Sequence, residues 1–174
     1  SSRMKVTASQ IRQDLNHFGG FGQQGYGYNV KYLHEEIGKI LGLDKKHNMI
    51  VIGGGNMGQA LSKYAAFERN GFNIKGIFDI NPELIGKKIG EITIYPTSSL
   101  QEFIMNENIE IAALTLPKAA APEMADLLVT YGIKAIWNFA HTDLVVPKDV
   151  VVEHVHLFDS LMRLSYNLSS YEKE

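Results

Sequence analysis

The chain has 174 residues, 45% of them apolar and 21% charged, a globular mix that excludes wholesale disorder. No run approaches the ~20 apolar residues that span a bilayer, and the absence of cysteine excludes disulfides, thiolate metal sites and thiol redox sensing. The net charge of −2 is unevenly spread: residues 1–47 hold seven Lys/Arg against four Asp/Glu, and residues 48–174 hold ten against fifteen, so a basic head suited to a polyanion sits on an acidic body.

Along the chain three parts are expected: 1–47, 48–155 and 156–174. The opening Ser1-Ser2-Arg3-Met4-Lys5 lacks the apolar stretch of a secretory signal and is expected to be a tag remnant or a cut end. A soluble, cytoplasmic protein is the default expectation. Thr7-Ala8-Ser9-Gln10 is a capping box, with Val6 and Ile11 at the flanking apolar positions that staple a helix start. Ile11, Leu15 and Phe18 recur at helical spacing, and Ser9, Gln10, Arg12, Gln13 and Asn16 form the opposite, polar face. Residues 19–28 read GGFGQQGYGY, glycine at five of ten positions, which no helix tolerates. A β-hairpin or extended wing turning near Gln23-Gln24-Gly25 is expected. A second helix follows at about 30–41, stopped by Gly42.

From Asn48 onward, apolar strands alternate with helical patterns: strands near 48–52, 74–78, 92–95, 109–116, 135–139 and 150–153, and helices near 56–70, 100–106 and 119–131. This alternation implies an α/β domain with a parallel sheet covered on both faces. The terminal segment places Leu157, Leu161, Leu164 and Leu168 on one helical stripe, widened by Phe158 and Met162. Such a stripe either packs on its own sheet or docks elsewhere, across a dimer.

The chemistry concentrates in Gly53-Gly54-Gly55-Asn56-Met57-Gly58, a G-x-G-x-x-G run that follows an apolar strand and opens a helix. An acid, Asp79, lies 21 residues beyond Gly58 at the end of the next strand, completing a Rossmann-type dinucleotide fingerprint. Gly53 permits the tight turn, Gly55 lets a pyrophosphate approach bare backbone, and Gly58 lets helix and sheet pack closely. The N–H groups around Asn56 and Met57 hold the anion. Asp79 accepts both ribose hydroxyls and repels a 2′-phosphate, and Ile80 and Asn81 follow it where an NADP site would carry Arg, so NAD(H) is favoured. Ligands in such sheets lie beyond the carboxyl ends of the strands, which places Thr115-Leu116-Pro117 and Asn138-Phe139-Ala140 beside the nicotinamide half. No catalytic residue stands out. His141, His154 and His156 have no nameable partner; His154 and His156 alternate as a metal pair could, but no third ligand is evident, so no metal is expected.

The residues so far resemble the Rex family of redox-sensing transcriptional repressors. The resemblance runs over essentially the whole chain, through Ala8-Ser9-Gln10-Ile11-Arg12-Gln13-Asp14-Leu15, Phe18-Gly19, Gly25-Tyr26-Gly27-Tyr28-Asn29-Val30, the glycine run, Phe78-Asp79, residues 114–117, Asn138-Phe139-Ala140 and Leu164-Ser165-Tyr166. It implies a partial winged-helix domain, a Rossmann domain for NADH or NAD⁺, and a C-terminal helix swapped between two subunits of a homodimer. It further implies a repressor that binds palindromic operator DNA when NADH is low and releases it when NADH binds. By position, residues 9–13 become the recognition helix: Arg12 pairs with a guanine edge or phosphate, and Gln10 and Gln13 read adenine beside Ser9. The wing with Gln24 and Tyr26 touches the minor groove, and Tyr64 matches a tyrosine placed near the nicotinamide and the swapped helix. Three departures accompany the match. The helices that normally precede a recognition helix are not in this sequence, Gln23-Gln24 occupies a wing tip that is basic in many relatives, and His156 stands where some relatives carry an acid. The rival readings are a small NAD-dependent oxidoreductase and a CoA-binding domain.

Overall fold

The computed structural model describes residues 7, 9–10, 13–14, 22–23, 27–40, 42 and 44–171. It divides into two compact units, Ser1–Lys45 and Lys46–Glu174.

In the first unit the capping box forms as the residue types dictate. The Gln10 amide donates to the Thr7 hydroxyl at 3.2 Å, and the Thr7 amide donates back to Gln10 Oε1 at 3.2 Å. Ser9, Gln10, Gln13 and Asp14 are helical. Strands β1 (Gly22–Gln23) and β2 (Gly27–Tyr28) pair antiparallel, giving the expected hairpin. Helix α1 (Val30–Ile40) is capped by Asn29, whose side-chain oxygen accepts from the Tyr32 amide at 3.1 Å. Beyond it Gly42 takes the left-handed conformation, φ +69°, which ends a helix at little steric cost.

The second unit is built on a seven-stranded sheet. Strand β3 (His47–Ile52) leads into helix α2 (Asn56–Ser62), a short helix α3 (Ala66–Arg69) and β4 (Phe72–Asp79). Then come β5 (Lys88–Ile89), β6 (Ile92–Pro96), α4 (Leu100–Asn106), β7 (Ile111–Leu114), α5 (Ala121–Thr130), β8 (Ala135–Asn138), β9 (Val151–His154) and α6 (Leu157–Tyr171). The order is β5-β6-β4-β3-β7-β8-β9, with β6 through β9 parallel and β5 antiparallel on the edge. Chain order reverses between β3 and β7, the switch point at which doubly wound sheets open a crevice. The sequence reading missed β5, which returns through a two-residue turn whose first member, Gly90, has φ +62°.

Strand alternation sorts the core into two layers. Ile50, Ile52, Phe78, Ala112, Leu114 and Ile136 face α4 and α5, packing on Leu100, Ile104, Ala125 and Leu128. Met49, Val51, Ile77, Ile94 and Ala113 form the opposite layer.

One expected helix, 56–70, is two. The Ser62 hydroxyl donates back to the Gly58 carbonyl at 2.7 Å, and the Lys63 amide splits between the carbonyls of Gln59 and Ala60, both at 3.3 Å. Such back-bonding and bifurcation tighten a last turn. The chain restarts as α3 with Phe67 set edge-on against Trp137, ring centroids 5.6 Å apart. The terminal helix forms as expected but lies on nothing among the described residues: every residue of α6 is exposed, including the whole leucine stripe. Among the described residues α6 does not pack on its own sheet. Among the described residues, no helix is long and apolar enough to cross a membrane.

Candidate functional site

The site is assembled at the carboxyl ends of β3, β4 and β7. The Gly53 amide donates to the Phe78 carbonyl at 2.8 Å, and the Thr115 amide donates to the Ile52 carbonyl at 2.9 Å, so the turn after β3 is tied to both neighbours. The Thr115 hydroxyl is shared between the carbonyls of Ile52 (3.0 Å) and Gly53 (2.9 Å). Gly53 has φ +105°, and a Cβ there would lie 2.7 Å from the Thr115 carbonyl oxygen, so conformation and space both demand glycine. A Cβ on Gly58 would be driven into the Gly53 carbonyl. These two glycines serve the fold.

Gly55 is different. It caps α2 with φ −72°, and a Cβ on it would meet nothing within 4 Å. Neither backbone conformation nor internal packing asks for glycine there. The bare backbone faces open space, as the approach of a ligand's phosphates requires.

Asp79 ends β4 and is anchored on the turn. Its Oδ2 accepts from the Gly54 amide at 2.5 Å and its Oδ1 from the Asn81 amide at 2.7 Å. Each oxygen keeps a lone pair for a ligand hydroxyl. The Gln59 side chain closes the turn from the helix side, donating to the Gly54 carbonyl at 2.8 Å.

A cleft of about 720 Å³ opens from this turn. It brings together Gly53, Gly55, Asp79, Ile80, Thr115, Leu116 and Pro117 of the sequence-proposed set. Ile80 is 82% exposed, a large apolar side chain left in the open beside the cleft. Thr97, Glu123, Met124 and Leu127 also line the cleft and were not anticipated. They come from the β6 end and from α5, whose approach to the cleft is set by the crossover and not by any local motif. Asn56 is exposed at the start of α2, Met57 is half-buried, and Gly58 is buried under the turn.

The remaining proposed residues lie elsewhere. Asn138 is fully buried and spent inside the chain: its Oδ1 accepts from the Ala140 amide at 3.0 Å, and its Nδ2 donates to the Thr142 carbonyl at 2.8 Å and lies 3.1 Å from His154 Nδ1. Phe139 packs edge-on to Trp137, centroids 4.5 Å apart. Tyr64, exposed at the α2–α3 break, lines a separate groove with Phe67 and Phe72. The histidines do have partners: His141 Nδ1 and His156 Nδ1 are 3.1 Å apart, and the His154 and His156 rings stack. The strand ends at His154, so His154 and His156 are not a strand-face pair. No metal-holding group of three occurs among the described residues. Ser9, Gln10 and Gln13 are exposed on their helix, whereas Arg12, Gln24 and Tyr26 lie outside the described residues.

A second, apolar groove of about 350 Å³ runs over the β3–β7–β8–β9 half of the sheet, lined by Met49, Phe67, Ile111, Trp137 and Val151 among others. Helix α6 does not cover this groove: all its residues are exposed.

Residues 44–142 match the family described as CoA binding domain. The redox-sensing transcriptional repressor Rex of Caldanaerobacter subterraneus subsp. tengcongensis is 59% identical over 172 residues, 99% of this chain and 77% of the relative. That of Clostridioides difficile is 58% identical over 160 residues, 92% of this chain and 76% of the relative. The crystal structure of RSP in complex with β-NAD⁺ and operator DNA superposes with a TM-score of 0.92 at 57% identity, covering 99% of this chain and 79% of that one. The structure of RSP with β-NADH gives 0.90 at 53% identity, covering 99% and 80%.

Proposed function

Since this chain belongs to the Rex family of redox-sensing transcriptional repressors, with residues 44–142 belonging to the CoA binding domain family, we propose that it senses the NADH/NAD⁺ ratio and represses transcription when NADH is low. The observation that carries this reading is Gly55 beside Asp79: a helix-capping glycine with open space where a Cβ would lie, next to a carboxylate already oriented by the Gly54 and Asn81 amides. Gly55, Asn56 and Met57 offer backbone to the diphosphate, and Asp79 takes the adenosine ribose. A ribose phosphate would meet that carboxylate, which disfavours NADP(H) and equally the 3′-phosphate of CoA.

The bound nicotinamide supplies a ring that is cationic when oxidised and neutral when reduced. Thr115, Leu116 and Pro117, which line the cleft, form the surroundings in which that charge difference is felt. The exposed leucine stripe of α6 seats on the apolar groove of a second subunit, giving a homodimer with swapped terminal helices and bringing the His156 end of α6 near the partner's cleft and Tyr64. Ser9, Gln10, Arg12 and Gln13, with the hairpin around Gln24 and Tyr26, meet operator DNA, helped by the excess of basic residues in 1–47. The protein is a cytoplasmic regulator and not a catalyst.

A gel shift on a two-fold-symmetric AT-rich site tests this: the complex persists with NAD⁺ and dissolves with NADH. A shift indifferent to both coenzymes overturns the reading. Loss of NADH absorbance with a hydroxy acid or aldehyde favours an oxidoreductase, and a melting temperature raised by CoA but not NADH favours a CoA-binding protein.

A further inference from the structure

Resting on the nicotinamide-dinucleotide reading, we propose that Glu123 is the residue that selects adenine at the base end of the cleft. The geometry of the ligand fixes the direction. With diphosphate at Gly55 and ribose at Asp79, we place the base beyond the ribose, against the part of the cleft lined by Thr97 and α5, where Glu123 also lines it. Four side chains of the cleft wall are polar, Asp79, Thr97, Thr115 and Glu123. Ile80, Met124 and Leu127 offer stacking surface, Thr115 is committed to the carbonyls of Ile52 and Gly53, and Asp79 is committed to the turn and the ribose.

Thr97 and Glu123 are left to meet a base edge. A hydroxyl donates or accepts and discriminates weakly; a carboxylate only accepts. Glu123 therefore takes a hydrogen bond from the exocyclic amino group of adenine and repels the carbonyl oxygen that hypoxanthine or guanine carries at the same position. Covered by the base, that interaction moves out of water and gains weight. Glu123 has no hydrogen-bonding or ionic partner within the described protein, which leaves its carboxylate available for this contact. It also sits in the first turn of α5, where an acid favours the helix dipole, so a loss of affinity alone would not separate the two roles.

The ratio of two affinities does separate them. Binding of NADH and of its hypoxanthine analogue, reduced deamino-NAD, is titrated by nicotinamide fluorescence on the wild-type chain, Glu123→Gln and Glu123→Ala, with melting temperatures as the folding control. The wild type should prefer NADH by about tenfold. Glu123→Gln, which can donate as well as accept, and Glu123→Ala, which removes the repulsion, should bring the ratio close to one whatever happens to absolute affinity. An unchanged ratio in both variants, or no preference in the wild type, overturns the role of Glu123 and leaves the nicotinamide reading standing. Failure of the wild type to bind either dinucleotide overturns both together.

Discussion

At the scale of single residues, the three fingerprint glycines divide by what each one touches. Gly53 and Gly58 are held by the protein itself, one by a positive φ and the Thr115 carbonyl, the other by the Gly53 carbonyl. A Cβ on Gly55 would touch nothing. The expected outcome is a clean separation of fold from function. Gly58→Ala should lower stability by about 1–3 kcal/mol, the range for forcing an atom into filled space. Gly55→Ala should melt with the wild type yet lose about tenfold or more in NADH affinity, about 1.4 kcal/mol per tenfold, because the methyl group occupies the place of the phosphates. Calorimetry and fluorescence titration on the pair check this, and a Gly55→Ala protein that binds normally would remove the main support for the site. These positions were legible in the sequence because glycine spacing and the acid after β4 are local and their chemistry is fixed by ligand shape. Glu123 and Thr97 were not legible: they reach the cleft only because α5 crosses over β7 and β6 ends beside β4, which no spacing encodes. Asn138 was legible as a strand-end polar residue, but nothing local shows that its side chain is consumed by Ala140, Thr142 and His154.

At the scale of elements, the parallel sheet was readable because each buried strand is an apolar run bounded by glycine, proline or an acid. The break in 56–70 was not, since it accompanies a serine bonding back to Gly58 and an aromatic at 67 meeting Trp137 on the face of the sheet. The terminal helix shows the opposite case: its stripe predicts a helix, and only the structure shows that the stripe is uncovered while an apolar groove on the sheet is open. An exposed apolar stripe and an open apolar groove on one chain are what the proposed swapped dimer would join, and isologous pairing would fill both at once. Because the stripe is exposed within the monomer, charges placed on it should disturb assembly and spare the fold. Leu161→Lys with Leu164→Lys should convert a dimer to a folded monomer in analytical ultracentrifugation. The only tryptophan, Trp137, lines the groove and reports the same event: its emission should shift to the red when the partner helix leaves. A double variant that stays dimeric with unchanged emission would place the dimer contact elsewhere.

At the scale of the whole molecule, repression that NADH relieves implies a thermodynamic coupling between operator and coenzyme. A repressor that releases operator on binding NADH must have two states, one favoured by DNA and one by the reduced coenzyme. In a dimer the two heads meet successive major grooves only when spaced about one DNA turn, 34–36 Å, so a modest rotation between subunits is enough to forfeit one half-site. Linkage then fixes a result that no detail of the motion can alter: the factor by which NADH weakens operator binding equals the factor by which operator weakens NADH binding. Couplings of this kind run to about 5–150-fold. NADH titrated by fluorescence with and without saturating two-fold-symmetric operator gives one factor, and operator titrated with and without saturating NADH gives the other. The two should agree, and NAD⁺ should yield a much smaller factor in both directions. The Leu161→Lys, Leu164→Lys monomer supplies the internal control. It retains the cleft, so it should bind NADH, but with no second subunit to rotate its NADH affinity should be the same with and without DNA. A monomer that still couples would move the switch from the dimer interface into the single chain.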